Sequence, residues 1–238
     1  MRLDVVLAEK MGVGTRTKAQ NLIKMQLVKV NGNVITKCGY EVDDSNAIEV
    51  LSDYSASLGS YKLLKAIDEF KPNIENKVCL DLGASNGGFT DVLLKNNAKR
   101  VYALDIGPCA LPEYLRNDSR VTVKDNTNAR YVTKEDFDEN IDFIVIDLSF
   151  ISLKLILPTA YAVLKKDGYI IALIKPQFEL EKNKLTKSGI VKSDKLRETA
   201  KEGIIEFALA LGFTVSGVTE TPRLFDNKNV EYLVYLKK

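Results

Sequence analysis

Apolar positions along the chain follow two kinds of spacing, and the change from one to the other divides it. Near the start, Leu3, Val6 and Leu7 share one face of a short helix. Ala19, Leu22 and Ile23 form the inward face of a second, with Thr17 or Thr15 placed to cap it. LVKVNGNVI then alternates around Asn31-Gly32, the pattern of a β-hairpin. Residues 52–60, SDYSASLGS, are small and polar and read as a linker. Beyond them, short apolar runs alternate with amphipathic stretches. KVCLDLG (77–83), RVYALDI (100–106), RVTVKD (120–125), IDFIVIDL (141–148) and GYIIALIK (168–175) predict strands, and helices fit near 88–96, 110–116, 153–165 and 194–211. FTVSGVTE (213–220) and VEYLVYLKK (230–238) close the chain as two strands with no helix-length segment between them. This alternation predicts an α/β architecture, a mostly parallel seven-stranded Rossmann-like sheet with one antiparallel strand, preceded by a small α+β module.

Composition narrows the chemistry. The chain has 238 residues and no histidine. Ser-His-Asp triads, Cys-His dyads and His-ligated metal sites are therefore excluded, and no metal is expected. Cys38, Cys79 and Cys109 are odd in number and widely spaced, as expected of reduced thiols in a cytoplasmic protein. MRLDVVLAEKMG mixes charges into its apolar residues, unlike a signal peptide, and the longest apolar run, 170–174, falls far short of the ~20 residues of a membrane span.

Lys and Arg total 34 against 32 Asp and Glu, so any basic surface must be local. Residues 1–37 hold seven basic residues and two acidic ones, whereas residues 38–53 turn acidic. A solvated basic face is the plain reading; a phosphate-contacting surface is the sharper one, because Arg16, Lys18 and Lys24 can line one side of the second helix. The order RLD, TRTKAQNLIK, LVKVNG resembles the S4 domain, a small RNA-binding module. That resemblance implies RNA binding through shape and backbone, with Arg2, Arg16, Lys18 and Lys24 as phosphate contacts.

The first strand of the larger module runs into Asp81-Leu82-Gly83-Ala84-Ser85-Asn86-Gly87-Gly88, a glycine-rich turn before a helix. A P-loop would need Gly-Lys-Ser/Thr, which is missing, and a dinucleotide fingerprint needs G-x-G-x-x-G where this chain has G-x-x-x-G-G. A purely structural strand-turn-helix joint is the bland alternative. The remaining match is to the loop of class I methyltransferases that use S-adenosyl-L-methionine (SAM). There Asp81 would meet the methionine ammonium, and Gly83, Ser85, Gly87 and Gly88 would shape the turn. Asp105 at the second strand end is placed to accept ribose hydroxyls, and Asp125 with Asn126 at the third to flank the adenine.

Two further strands end on polar residues, Asp147 and Lys175. Lys175 follows a continuous apolar run and precedes Pro176, which stops the strand there. An ordinary solvated lysine is the plain reading; a lysine tuned toward proton transfer by a nearby carboxylate and a sulfonium is the functional one. DLGASNGGFTD, VYALDIG, NTNAR, VIDLSFISL, LIKPQFE, SGIV and NVEYL occur in the order seen in the TlyA family, so the chain resembles it over nearly its whole length. The resemblance implies an S4 domain over 1–51, a linker over 52–60 and an FtsJ-like SAM-dependent methyltransferase domain over 61–238. It also implies methylation of a cytidine 2′-hydroxyl in ribosomal RNA at the subunit interface. The family's Lys-Asp-Lys-Glu tetrad falls on Lys62, Asp147, Lys175 and Glu231. With Arg2 opening the S4 pattern directly, the chain resembles the family's shorter form, which implies 23S rather than 16S RNA.

Departures from the family pattern at Leu58-Gly59-Ser60, Pro108-Cys109-Ala110 and 224–228 (beginning at Leu224) bear on target choice and on RNA and SAM affinity more than on reaction type. An RNA-binding ribosome-assembly factor with an inactive methyltransferase fold is the alternative from another class. A haemolysin, a label attached to this family, is disfavoured by the lack of a membrane-spanning or strongly amphipathic cationic segment.

Overall fold

In a computed structural model of the chain, residues 1–24, 26–51, 59–221 and 228–238 are described, and they form two compact units divided ahead of Gly59. In the first, α1 (Leu3–Glu9) and α2 (Arg16–Lys24) turn their expected faces inward, with Leu3, Leu7, Ala19 and Ile23 fully buried. Thr15 Oγ accepts the backbone N–H of Lys18 at 3.2 Å, so Thr15 rather than Thr17 caps α2. The hairpin forms as β1 (Val28–Val30) and β2 (Asn33–Val34). A third strand, β3 (Ile48–Val50), pairs antiparallel with the other edge of β1. It is hidden in the sequence because only Ile48 and Val50 alternate within an acidic stretch.

The second unit begins with α3 (Gly59–Phe70), not with a linker: of the segment 52–60, residues 52–58 lie outside the described residues, and Gly59 and Ser60 already start this helix. Its inner face, Ser60, Leu63 and Ala66, is buried. Seven strands follow: β4 (Val78–Leu82), β5 (Arg100–Leu104), β6 (Val121–Lys124), β7 (Ile141–Ile146), β8 (Leu164–Ile174), β9 (Thr214–Glu220) and β10 (Tyr232–Lys237). Their order is β6-β5-β4-β7-β8-β10-β9, with β10 alone reversed against its neighbours β8 and β9. Helices α4 (Gly88–Lys95), α5 (Glu113–Arg116), α6 (Leu157–Val163), α7 (Pro176–Glu179) and α8 (Asp194–Ala210) supply the crossovers and turns.

β4 and β7 lie in the middle of the sheet, where both faces are covered. Their sequences accordingly read as near-continuous apolar runs, interrupted by Asp81 and Asp142, rather than alternating ones. The core gathers Leu80 and Leu82 from β4, Ile144 and Ile146 from β7, Ile170 from β8 and Leu236 from β10, all fully buried. β8 starts at Leu164, ahead of its apolar run, because Leu164 pairs with Ile141 before the register shifts to Phe143–Tyr169. The helix expected over 153–165 divides into a 3-10 turn, Leu153–Leu155, and α6.

Candidate active site

β4 stands where the strand order turns back, between β5 and β7. The carboxyl ends of the strands flanking such a switch point diverge and leave a crevice. Three of the loops leaving these ends are stitched together by backbone hydrogen bonds. Asp147 N–H donates to Leu82 O at 3.0 Å, and the N–H groups of Gly83 and Ala84 both donate to Leu104 O at 2.9 and 3.0 Å. Gly83 adopts φ +92°, and a Cβ there would lie 2.6 Å from the Asp147 carbonyl oxygen. Gly87, at φ +82°, caps α4, and a Cβ would lie 2.7 Å from Leu115 Cδ1. Both positions combine a left-handed backbone with a close approach, so the glycine pattern is a requirement of this turn. Gly88 begins α4, and Ser85, exposed at the turn, donates its N–H to Asp105 Oδ2 at 2.9 Å.

Asp81, at the end of β4, is fully buried. Thr90 Oγ donates to its Oδ2 at 2.7 Å, while Oδ1 has no hydrogen-bond partner among the described residues. Burial pushes its carboxyl up to about 7. A buried carboxylate oxygen left bare beside a glycine turn fits a ligand that brings a cation, such as the methionine ammonium of SAM, and is unfavourable to a pyrophosphate. Asp105 Oδ1 accepts Gly107 N–H at 3.2 Å, so both its oxygens brace the rim of the crevice. Asp125 accepts the Cys109 N–H at 2.6 Å, with Arg116 Nη1 3.6 Å from its other oxygen; the Cys109 bond holds its carboxyl below the usual range. Asn126 N–H donates to Gly107 O at 3.1 Å. Asp125 and Asn126, read from sequence as adenine neighbours, thus also fasten the loop 105–110. Burial pushes the Cys109 thiol up to about 12, so it carries no thiolate nucleophile.

Four residues far apart in sequence meet at the same edge. Lys62 projects from α3, Asp147 and Lys175 follow β7 and β8, and Glu231 precedes β10. Lys175 Nζ lies 2.6 Å from Asp147 Oδ1, an ion pair without hydrogen-bond alignment. Lys62 Nζ lies 3.7 Å from Asp147 Oδ2 and 2.7 Å from Glu231 Oε2. The chain Glu231–Lys62–Asp147–Lys175 is continuous, with the Lys175 side chain only 7% exposed. Burial works against the Lys62 charge, but Asp147 and Glu231 outweigh it and hold Lys62 above the ordinary lysine range. Three contacts here are invisible to sequence spacing. Ser149 Oγ accepts from Lys175 Nζ at 3.1 Å, Gln177 Nε2 donates to Glu231 Oε1 at 3.4 Å, and buried Ser60 donates to Gly88 O at 3.1 Å. SF and PQ in the strings VIDLSF and LIKPQFE mark the first two positions, but nothing in one sequence tells them from packing residues.

In the first unit, the four candidate RNA contacts do not stand alike. Arg2 and Arg16 both hold the fully buried Asp4, through Arg2 Nε and Nη2 at 3.0 Å each and Arg16 Nε at 3.0 Å, and Gln20 Nε2 adds a bond at 2.7 Å. The Arg2 bond, with those of Gln20 and Arg16, holds the Asp4 carboxyl far below the usual range despite its burial. Half of each arginine side chain remains exposed, 48% and 54%. Lys24 is exposed at the end of α2, and Lys18 is partly so. Of the departures from the family pattern, Leu58 and 224–227 lie outside the described residues. No helix among the described residues is long and apolar enough to cross a membrane, and no group of three or more Cys, Asp or Glu among them is arranged to hold a metal.

Comparison with known proteins gives these observations a family. Residues 56–238 match the FtsJ-like methyltransferases, and residues 1–48 match the S4 domain. Hemolysin A of Brachyspira hyodysenteriae is 40% identical over 237 residues, covering 99% of each chain. The 16S/23S rRNA (cytidine-2′-O)-methyltransferase TlyA of Mycobacterium tuberculosis is 37% identical over 239 residues, covering 99% of this chain and 89% of that one. A crystal structure described as a hemolysin from Lactococcus lactis shares 45% identity with a TM-score of 0.76, covering 79% of this chain and 90% of its own. The seven-stranded sheet with its one reversed strand is the class I methyltransferase fold, the glycine turn lies at its switch point, and the chain belongs to the FtsJ-like methyltransferase family, with an S4 domain at its N-terminal side.

Proposed function

We propose that this protein transfers the methyl group of SAM to the 2′-hydroxyl of a cytidine in ribosomal RNA, with 23S RNA in the large subunit as the target. The observation that carries this reading is the unbroken Glu231–Lys62–Asp147–Lys175 chain beside the glycine turn, in a protein without histidine. Asp81, Gly83, Ser85, Gly87, Gly88, Asp105, Asp125 and Asn126 are the residues that would hold SAM, which supplies an electrophilic methyl group when bound.

A ribose hydroxyl is a poor nucleophile until it begins to lose its proton. Lys175 is the acceptor of that proton in this reading. Lys62, held in its charged form between Asp147 and Glu231, keeps both carboxylates paired. Ser149 and Asp147 fix the direction of the Lys175 side chain, and the two reactants are held in attack geometry.

Two basic surfaces support RNA as the acceptor. One is the S4 unit with Arg2, Arg16, Lys18 and Lys24. The other lies on the methyltransferase unit, where Lys182, Lys184, Lys187, Lys192 and Lys195 are all exposed just beyond α7. Their turn is fastened by Asn229, which donates to Gly189 O at 3.0 Å and accepts from Val191 N–H at 2.8 Å, two residues before Glu231.

The test is methyl transfer from radiolabelled SAM to unmodified 30S and 50S subunits, with Lys175→Ala as control. The reading expects label in 50S RNA that disappears in the variant. RNA binding without label on either subunit would instead support an inactive assembly factor, and label confined to 30S RNA would overturn the choice of target.

A further inference from the structure

The loop after β7 and the turn after β8 carry Asp147 and Lys175, and they are joined at three successive points. Ser149 Oγ accepts from Lys175 Nζ at 3.1 Å. The rings of Phe150 and Phe178 lie 5.2 Å apart. At the far end, Glu179 Oε1 accepts the Leu153 N–H at 2.9 Å, and its Oε2 accepts the Ser152 hydroxyl. Ser152 Oγ also accepts the Lys154 N–H at 3.2 Å and so starts the 3-10 turn, which ties the loop to the rest of the sheet's covering layer.

Between these ends the loop is strained. Phe150 sits at φ +65°, a left-handed conformation uncommon for a bulky side chain, and is 91% exposed, so burial of its ring cannot be what holds it there. Such a backbone persists only where its surroundings fix it from both sides. β7 and the Asp147–Leu82 hydrogen bond fix one side. On the other side the anchor is Glu179, whose two oxygens take the Ser152 hydroxyl hydrogen and the Leu153 N–H.

We propose that Glu179 is a positioning residue for methyl transfer: it latches segment 149–153 onto α7 and thereby fixes Ser149, and through it the Lys175 side chain, against Asp147. The proposal rests on the functional reading above. In this role Glu179 acts only through Ser149 and Lys175, not by contact with RNA or SAM. A residue that merely capped the 3-10 turn would change stability alone; a latch changes the turnover step.

The experiment measures kcat, KM for SAM and KM for RNA in Glu179→Ala, Glu179→Gln and Ser152→Ala. Glu179→Ala is expected to lower kcat by about tenfold or more, since small misplacements of reacting groups are costly, and to leave both KM values within about twofold. Glu179→Gln keeps an acceptor for Leu153 N–H and a polar partner for Ser152, and is expected to recover most of that loss. Ser152→Ala cuts one of the two bonds and is expected to fall between, and it decides the matter if Glu179→Ala does not fold. The latch is overturned if Ser152→Ala and Glu179→Ala turn over like the parent protein, if the glutamine variant is as poor as the alanine one, or if SAM affinity drops in step with kcat. A parent protein that transfers no methyl group defeats the functional reading itself, whereas an active parent with indifferent variants defeats only the latch.

Discussion

Asp81 is the residue whose environment and proposed task make the sharpest demand on each other. Its carboxyl is pushed up to about 7 by burial, from an ordinary 3.8. The folded chain therefore binds this proton more tightly than the unfolded chain does. The associated stability is complete below about pH 4 and is lost as pH rises through about 7. Asp81→Asn is neutral throughout and escapes that loss, so without SAM its Tm at pH 8 is expected to exceed that of the parent by a few degrees, a difference that vanishes near pH 4. The same substitution removes the anionic partner of a ligand ammonium, and calorimetric SAM affinity is expected to fall by about tenfold or more. Unchanged SAM affinity would contradict the assignment of Asp81 to the cofactor. A lower Tm at pH 8 would show that the Thr90 bond, rather than the buried charge, dominates at this position.

At the scale of elements, the two basic surfaces predict separable effects on RNA binding. Removing one lysine–phosphate pairing lowers the slope of log affinity against log salt by about 0.7 to 0.9. Lys24→Glu in α2, and Lys182→Gln with Lys184→Gln and Lys187→Gln beyond α7, are each expected to weaken RNA binding and flatten that slope, with SAM binding unaltered. Equal loss of SAM and RNA affinity would contradict the separation of these lysines from the SAM site. Arg16 is a poorer probe, because its bond to buried Asp4 couples charge reversal to folding. Asp4 also marks how far the sequence can be read. The charges of Arg2 and Arg16 are visible in it, but a carboxylate at the centre of both is not, since Asp4 looks like any acidic residue in the first turn of a helix. The inner strands of the large sheet are legible because burial on both faces leaves nearly continuous apolar runs. The helix α3 is not, because its first turn is Gly-Ser-Tyr and follows a run of small polar residues. Only the family resemblance finds Lys62 there. The tetrad's spatial closure is beyond single-sequence reasoning: Lys62 and Glu231 are separated by 169 positions and meet because β10 runs antiparallel beside β8.

The whole molecule combines two units, each with its own buried core, whose chemistries call for each other. One presents arginines and lysines suited to a phosphate backbone. The other presents a sheet edge with a glycine turn, a bare buried carboxylate and a continuous line of paired charges ending on one buried lysine. Lys175→Arg probes whether this lysine removes the proton from a ribose hydroxyl. Arginine keeps the positive charge but does not give up its proton in a protein, so it can pair with Asp147 yet cannot act as a base. The decisive measurement is nucleoside analysis of RNA from unmodified 50S subunits after incubation with SAM and either protein. The parent protein is expected to form 2′-O-methylcytidine, and Lys175→Arg to do so at a rate lower by about a hundredfold or more while still binding SAM. A methyl group on a base instead of the ribose, or an arginine variant nearly as fast as the parent, would contradict this role for Lys175.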